Sequence, residues 1–195
     1  MHELGLSQLG AEDVDAAIAT FDRVIAQFPQ CTCLGQTWMD KARAQVIRGD
    51  SSGARRSYRT FAREHPTDPL APEALWQSGI RALRDDNRIE AAADFLALSD
   101  AFPESERTPF ALYVVATGAF QGGFYTQAAN LYMRLQEDYP DQMPEAVSYW
   151  LGRSLDAHGE KDEAKRVWQE LIGEAPDSYY GAVSYTHLDV YKRQR

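Results

Sequence analysis

Residues 149–176 read YWLGRSLDAHGEKDEAKRVWQELIGEAP, and this stretch decides the fold. Leu151, Gly152 and Leu155 form one stripe on a helix. His158-Gly159 ends that helix, because glycine accepts the left-handed conformation beyond a helix C-terminus. Ala164, Trp168, Leu171 and Ala175 then recur at spacings of 4, 3 and 4, so they line one face of a second helix. Pro176 stops it, having no N–H to continue the hydrogen-bond ladder. The unit is a helical hairpin.

Working outward, the same hairpin recurs down the chain. Pro29, Pro66, Pro103, Pro140 and Pro176 follow one another at intervals of 37, 37, 37 and 36 residues. Upstream of each stands an apolar residue (Val24, Phe61, Leu98, Leu135, Leu171), then an aromatic (Phe21, Tyr58, Phe95, Tyr132, Trp168), then alanine (Ala17, Ala54, Ala91, Ala128, Ala164). A small residue recurs in the first helix: Gly5, Ala42, Gly79, Ala116 and Gly152. It lets the second helix approach closely, and the aromatic fills the space left open. One such hairpin cannot bury its apolar face alone, so neighbours must stack. The expected fold is an all-α solenoid of five hairpins over residues 1–182. Ten helices are expected, at 3–10, 13–28, 34–48, 51–64, 71–85, 88–101, 108–121, 125–138, 143–158 and 161–174. Gly10 stands two positions early, which predicts a differently shaped first turn.

Composition narrows the function. A formal net charge of −9 argues against nucleic-acid binding, which needs a basic face, and against docking on anionic lipid. No apolar run approaches the roughly 18 residues of a membrane span. The first residues hold no basic start and no apolar core of a signal peptide, and Met1 stands just before a repeat already under way. A truncated N-terminus is the expectation.

The columns resemble the tetratricopeptide repeat, lengthened by a few residues after each proline, as in Pro66-Thr67-Asp68-Pro69-Leu70-Ala71-Pro72-Glu73. A finer resemblance is to the superhelical region of soluble lytic murein transglycosylases. It rests on Tyr149-Trp150-Leu151-Gly152-Arg153 and on Ala175-Pro176-Asp177-Ser178-Tyr179-Tyr180-Gly181-Ala182. That resemblance implies a non-catalytic fragment of a periplasmic or cell-envelope enzyme, contacting peptidoglycan glycan strands. The catalytic domain would be missing from the C-terminal side. The competing reading is a protein–protein interaction scaffold of the bacterial envelope, holding a protein or peptide partner.

Residues 183–195 (VSYTHLDVYKRQR) look like a non-native terminal peptide and are expected to abandon the helical period and pack poorly. No catalytic constellation is found. Glu104-Ser105, the one Glu-Ser pair, reads as a polar turn between repeats, and Arg81 to Arg88 read as a solvated helix face. His2, His65, His158 and His187 are scattered, so no metal or cofactor site is expected. Cys31 and Cys33 read as ordinary residues of a connection ahead of a local disulfide. The positive candidates are Trp76, Tyr113 and Tyr149, which share one repeat position on the first helices. Their rings suit stacking on sugars or gripping a peptide; inter-helix packing is the other reading.

Overall fold

The computed structural model describes residues 1–193. Among them every regular element is an α-helix. In chain order these are α1 (His2–Gly10), α2 (Val14–Gln27), α3 (Leu34–Ile47), α4 (Ser51–Glu64), α5 (Ala71–Arg84) and α6 (Arg88–Ala101). There follow α7 (Thr108–Gln121), α8 (Tyr125–Asp138), α9 (Pro144–His158), α10 (Lys161–Glu174) and α11 (Tyr179–Arg193). The first ten stand where the sequence columns put them, paired into five hairpins of the solenoid class. They group into two compact units, Met1–Thr108 and Pro109–Arg195.

The turn inside each hairpin has one shape throughout. Glu12, Gly49, Asp86, Gly123 and Gly159 all have positive φ, between 55° and 105°, and they recur at the repeat spacing. This corrects the expectation for the first turn: Gly10 is the last residue of α1, and Glu12 takes the left-handed position instead. Packing of the two helices sets the turn, so a non-glycine residue is forced into it at a cost of about 1–2 kcal/mol. In the first unit a capping column follows. Asp13, Asp50 and Asn87 accept hydrogen bonds from the N–H groups of Ala16, Gly53 and Glu90, satisfying donors at the starts of α2, α4 and α6.

At the other end of each hairpin, the residue before proline leaves the helical region, as the proline ring requires. Phe28, His65, Phe102, Tyr139 and Ala175 have φ from −129° to −137°, and their N–H groups bond back to Val24, Phe61, Leu98, Leu135 and Leu171. The apolar column therefore closes the last turn as well as filling the core.

That core is the expected one. Ala17, Ala54, Ala91, Ala128 and Ala164 are buried, as are the five aromatics. The small-residue column works by contact. A Cβ added to Gly5 or Gly79 would lie 2.5 Å from the ring of Phe21 or Phe95, and one added to Gly152 would meet Trp168. In the first unit a polar pair recurs beside the core: Thr20 Oγ1 and Ser57 Oγ each donate to a first-helix glutamine, Gln8 and Gln45, at 2.7 Å.

Two expectations are corrected. Over their described part, residues 183–193 do not abandon the helix but continue α11, which packs on α9 and α10. Ser178 starts it by accepting a hydrogen bond from the Gly181 N–H, and the His187 ring stacks on Trp168 at 4.8 Å. A free face of the last hairpin covers a helix even where the repeat columns end. Residues 194 and 195 lie outside the described residues. Cys31 and Cys33 are joined in a disulfide, with Cα atoms 5.2 Å apart. Successive tight turns, Cys31 N–H to Phe28 O and Leu34 N–H to Cys31 O, draw the pair together.

Candidate functional site

A groove of about 350 Å³ opens in the first unit between the first helices of two consecutive hairpins, α3 and α5. Gln36, Met39, Arg43 and Val46 recur at 3, 4 and 3 residues, so α3 turns a single face to it. Glu73, Gln77, Ile80, Arg81 and Arg84 do the same from α5. Leu70 and Tyr58 complete the lining. Apolar groups and hydrogen-bonding groups alternate along it, which suits a ligand that is itself amphipathic.

Its electrostatics are lopsided toward donors. Glu73, the one carboxylate among the described lining residues, is already bound by Arg107 at 2.7 Å and by Gln77 Nε2 at 2.7 Å. Arg43 pairs with Asp40 at 3.2 Å, and that aspartate is shared with His2 and Gln36. Arg81 reaches Asp85 at 3.4 Å, and its Nε is buried without a hydrogen-bond partner. Arg84 is exposed and has no carboxylate partner among the described residues. Burial pushes the Tyr58 phenol above its ordinary range, so this hydroxyl stays a neutral donor at any physiological pH.

The three aromatic candidates sit elsewhere. Trp76 is on α5 but outside the groove lining; its ring meets Phe95 at 5.2 Å and carries the Arg107 guanidinium at 5.3 Å. Tyr113 is half-buried in the second unit, 5.9 Å from the Tyr132 ring, and burial raises its phenol to about 12. Tyr149 is buried among Trp150, Tyr180 and His187, and its hydroxyl accepts from Arg153 at 3.1 Å. Each ring's described contacts are with its own unit, in the manner of inter-helix packing. Glu104-Ser105 lies in the 102–107 connection, where Ser105 Oγ accepts from the Arg107 N–H. Among the described residues no group of three His, Cys, Asp or Glu is placed to hold a metal ion.

Sequence reading missed Arg43, Arg81 and Arg84, because a periodic polar residue on a first helix looks solvated until the next hairpin supplies the opposite wall. Arg81 is in fact mostly covered, its side chain 20% exposed. The usable signal was two arginines three apart on one helix of an acidic chain.

Comparison with known families settles the class of the repeat. Two models of the tetratricopeptide repeat match, one over residues 1–30 and 146–178 and the other over residues 39–106. The chain holds a tetratricopeptide repeat region. No curated protein sequence matches it. Among solved structures, the tetratricopeptide repeat region is similar to MamA of Desulfovibrio magneticus RS-1, with TM-score 0.56 and 18% identity over 82% of this chain and 88% of that one. It is also similar to a tetratricopeptide repeat protein of Parabacteroides merdae ATCC 43184, with TM-score 0.55 and 18% identity over 98% and 73%. A third is YrrB, a tetratricopeptide repeat protein with an unusual peptide-binding site, with TM-score 0.55 and 11% identity over 94% and 89%. At these identities the likeness is one of fold.

Proposed function

We propose that this tetratricopeptide repeat chain is a protein–protein interaction scaffold that holds an extended segment of a partner protein in the α3–α5 groove. The observation that carries the reading is the groove itself, where Met39, Val46, Leu70 and Ile80 alternate with Gln36, Gln77 and three arginines. Apolar side chains of a bound segment fit the first set, and its backbone carbonyls meet the donors of the second. Among the described lining residues there is no serine, cysteine or histidine to serve as nucleophile or general base.

The finer reading, a transglycosylase fragment touching peptidoglycan, rests on the resemblance at residues 149–153 and 175–182, and its candidate glycan contacts Trp76, Tyr113 and Tyr149 have rings engaged in packing. The scaffold reading therefore stands ahead of it. We place the scaffold in the cell envelope: the Cys31–Cys33 disulfide is of a kind that persists in oxidising compartments, and the resemblance points the same way. Thiol alkylation of protein recovered from envelope and cytoplasmic fractions checks this, and free thiols in the envelope fraction would count against it.

Panning a random peptide-display library on the purified chain tests the function. Selected peptides should bind wild type and lose binding to Met39→Asp and Ile80→Asp variants that keep their helical circular dichroism. Peptides that bind both variants as tightly as wild type would overturn the groove as the site.

A further inference from the structure

Resting on the scaffold reading, we propose that the segment held in the groove is acidic, its carboxylate side chains meeting Arg81 and Arg84 of α5 and Arg43 of α3. The chain as a whole carries −9, so its general field repels an acidic partner. The groove reverses that sign locally. Among the described lining residues three arginines stand against Glu73 alone, and Glu73 is already paired with Arg107.

The pairs that these arginines now make are easily exchanged. Arg81 and Asp85 form an i, i+4 pair at 3.4 Å with side chains 20% and 38% exposed, and Arg43, 64% exposed, pairs with a buried Asp40 that is also held by His2 and Gln36. The first pair lies partly in solvent and contributes little to stability, and Asp40 keeps His2 and Gln36 when Arg43 turns outward, so a ligand carboxylate can share either arginine at small cost. Arg84 has no carboxylate partner among the described residues to give up. The other uncommitted groups are donors as well: Arg81 Nε is buried without a hydrogen-bond partner, and the Tyr58 hydroxyl has no hydrogen-bond partner among the described residues. A site with spare donors and few spare acceptors selects a ligand rich in acceptors. The planar guanidinium fork matches a carboxylate with two parallel hydrogen bonds, which gives register as well as attraction. Carboxylates placed between leucine-like side chains would engage the arginines while the apolar groups meet Met39, Val46 and Ile80.

The test uses the full chain and fluorescein-labelled peptides of about ten residues, long enough to follow two helix faces. Four probes are compared by anisotropy: alternating Glu-Leu, Gln-Leu and Lys-Leu peptides with blocked ends, and the Gln-Leu peptide with a free C-terminal carboxylate. The Glu-Leu peptide should bind about tenfold or more tighter than the blocked Gln-Leu one, and weaken with salt. Arg84→Gln, at an exposed position that leaves the fold intact, and Arg81→Gln should bring the Glu-Leu affinity toward the Gln-Leu value. Equal binding of the two blocked peptides, lost in Ile80→Asp, would overturn the acidic preference and leave the scaffold reading standing. Tight binding only of the free-carboxylate probe would overturn the side-chain form in favour of a chain end. Binding of all four, unchanged in Ile80→Asp, would overturn the groove reading itself.

Discussion

Arg55 on α4 donates to Asp94 on α6 across 2.9 Å, with Asp94 only 2% exposed. The contact ties the second helices of two consecutive hairpins. Ser78 Oγ on α5 donates to the same carboxylate at 2.6 Å, Arg59 reaches it at 3.3 Å, and Glu90 also pairs with Arg55. Removing one member strands a buried charge. Asp94→Ala should therefore cost about 3–5 kcal/mol in urea unfolding, while Arg55→Met with Asp94→Leu should recover most of the loss. A change below about 1 kcal/mol in the single variant would show that the pair is idle.

The small-residue column gives a paired test. Gly79→Ala sets a Cβ 2.5 Å from the Phe95 ring, and Gly152→Ala sets one against Trp168. Each should cost about 1–3 kcal/mol through overpacking. Gly118 is an exposed position of α7 with nothing within 4 Å of an added Cβ. There the same substitution should stabilise by about 0.5–1 kcal/mol, since glycine is poor inside a helix. Thermal melts of the three variants check the sign. Stabilisation by Gly152→Ala would mean that α9 and α10 pack less closely than described.

Glu12 and Asp86 occupy the left-handed turn position that glycine fills at 49, 123 and 159. Glu12→Gly should raise stability by about 1 kcal/mol by removing the Cβ clash. Asp86→Gly should gain less, because aspartate tolerates this conformation better. Equal or opposite effects in denaturant titrations would contradict a single turn shape.

Alkaline pH should unfold the second unit. Burial raises the Tyr113 phenol from 10.0 to about 12 and holds Tyr132 above its ordinary range too. The folded state thus keeps protons that the unfolded state releases. The contribution is full below pH 10 and is lost as pH rises from about 10 toward 12. Tyr113→Phe should make this limb of the stability curve shallower. Tyrosinate absorbance should show a late-titrating group that the variant lacks; its persistence would assign the late titration elsewhere.

Much of this molecule was legible from the chain alone, because its helix ends are set by local chemistry. Proline before a connection, glycine after a helix and alanine four residues ahead of an aromatic act over a few residues, and the first ten helices follow from them. The buried alanine column and the contact of Gly79 with Phe95 were likewise fixed by spacing, since residues three and four apart share a helical face. Tertiary structure decided the rest. Arg55 finds Asp94 39 residues away, and Arg43 shares a groove with Arg81 and Arg84, only because the hairpins stack in one register. Glu12 adopts its positive φ because the helices on either side impose the turn, against the preference of its own side chain. The Cys31–Cys33 bridge and α11 depend on how a connection folds back and on a hairpin face left to cover. Local sequence sets where helices begin and end; which polar groups meet depends on distances that only the packed chain supplies.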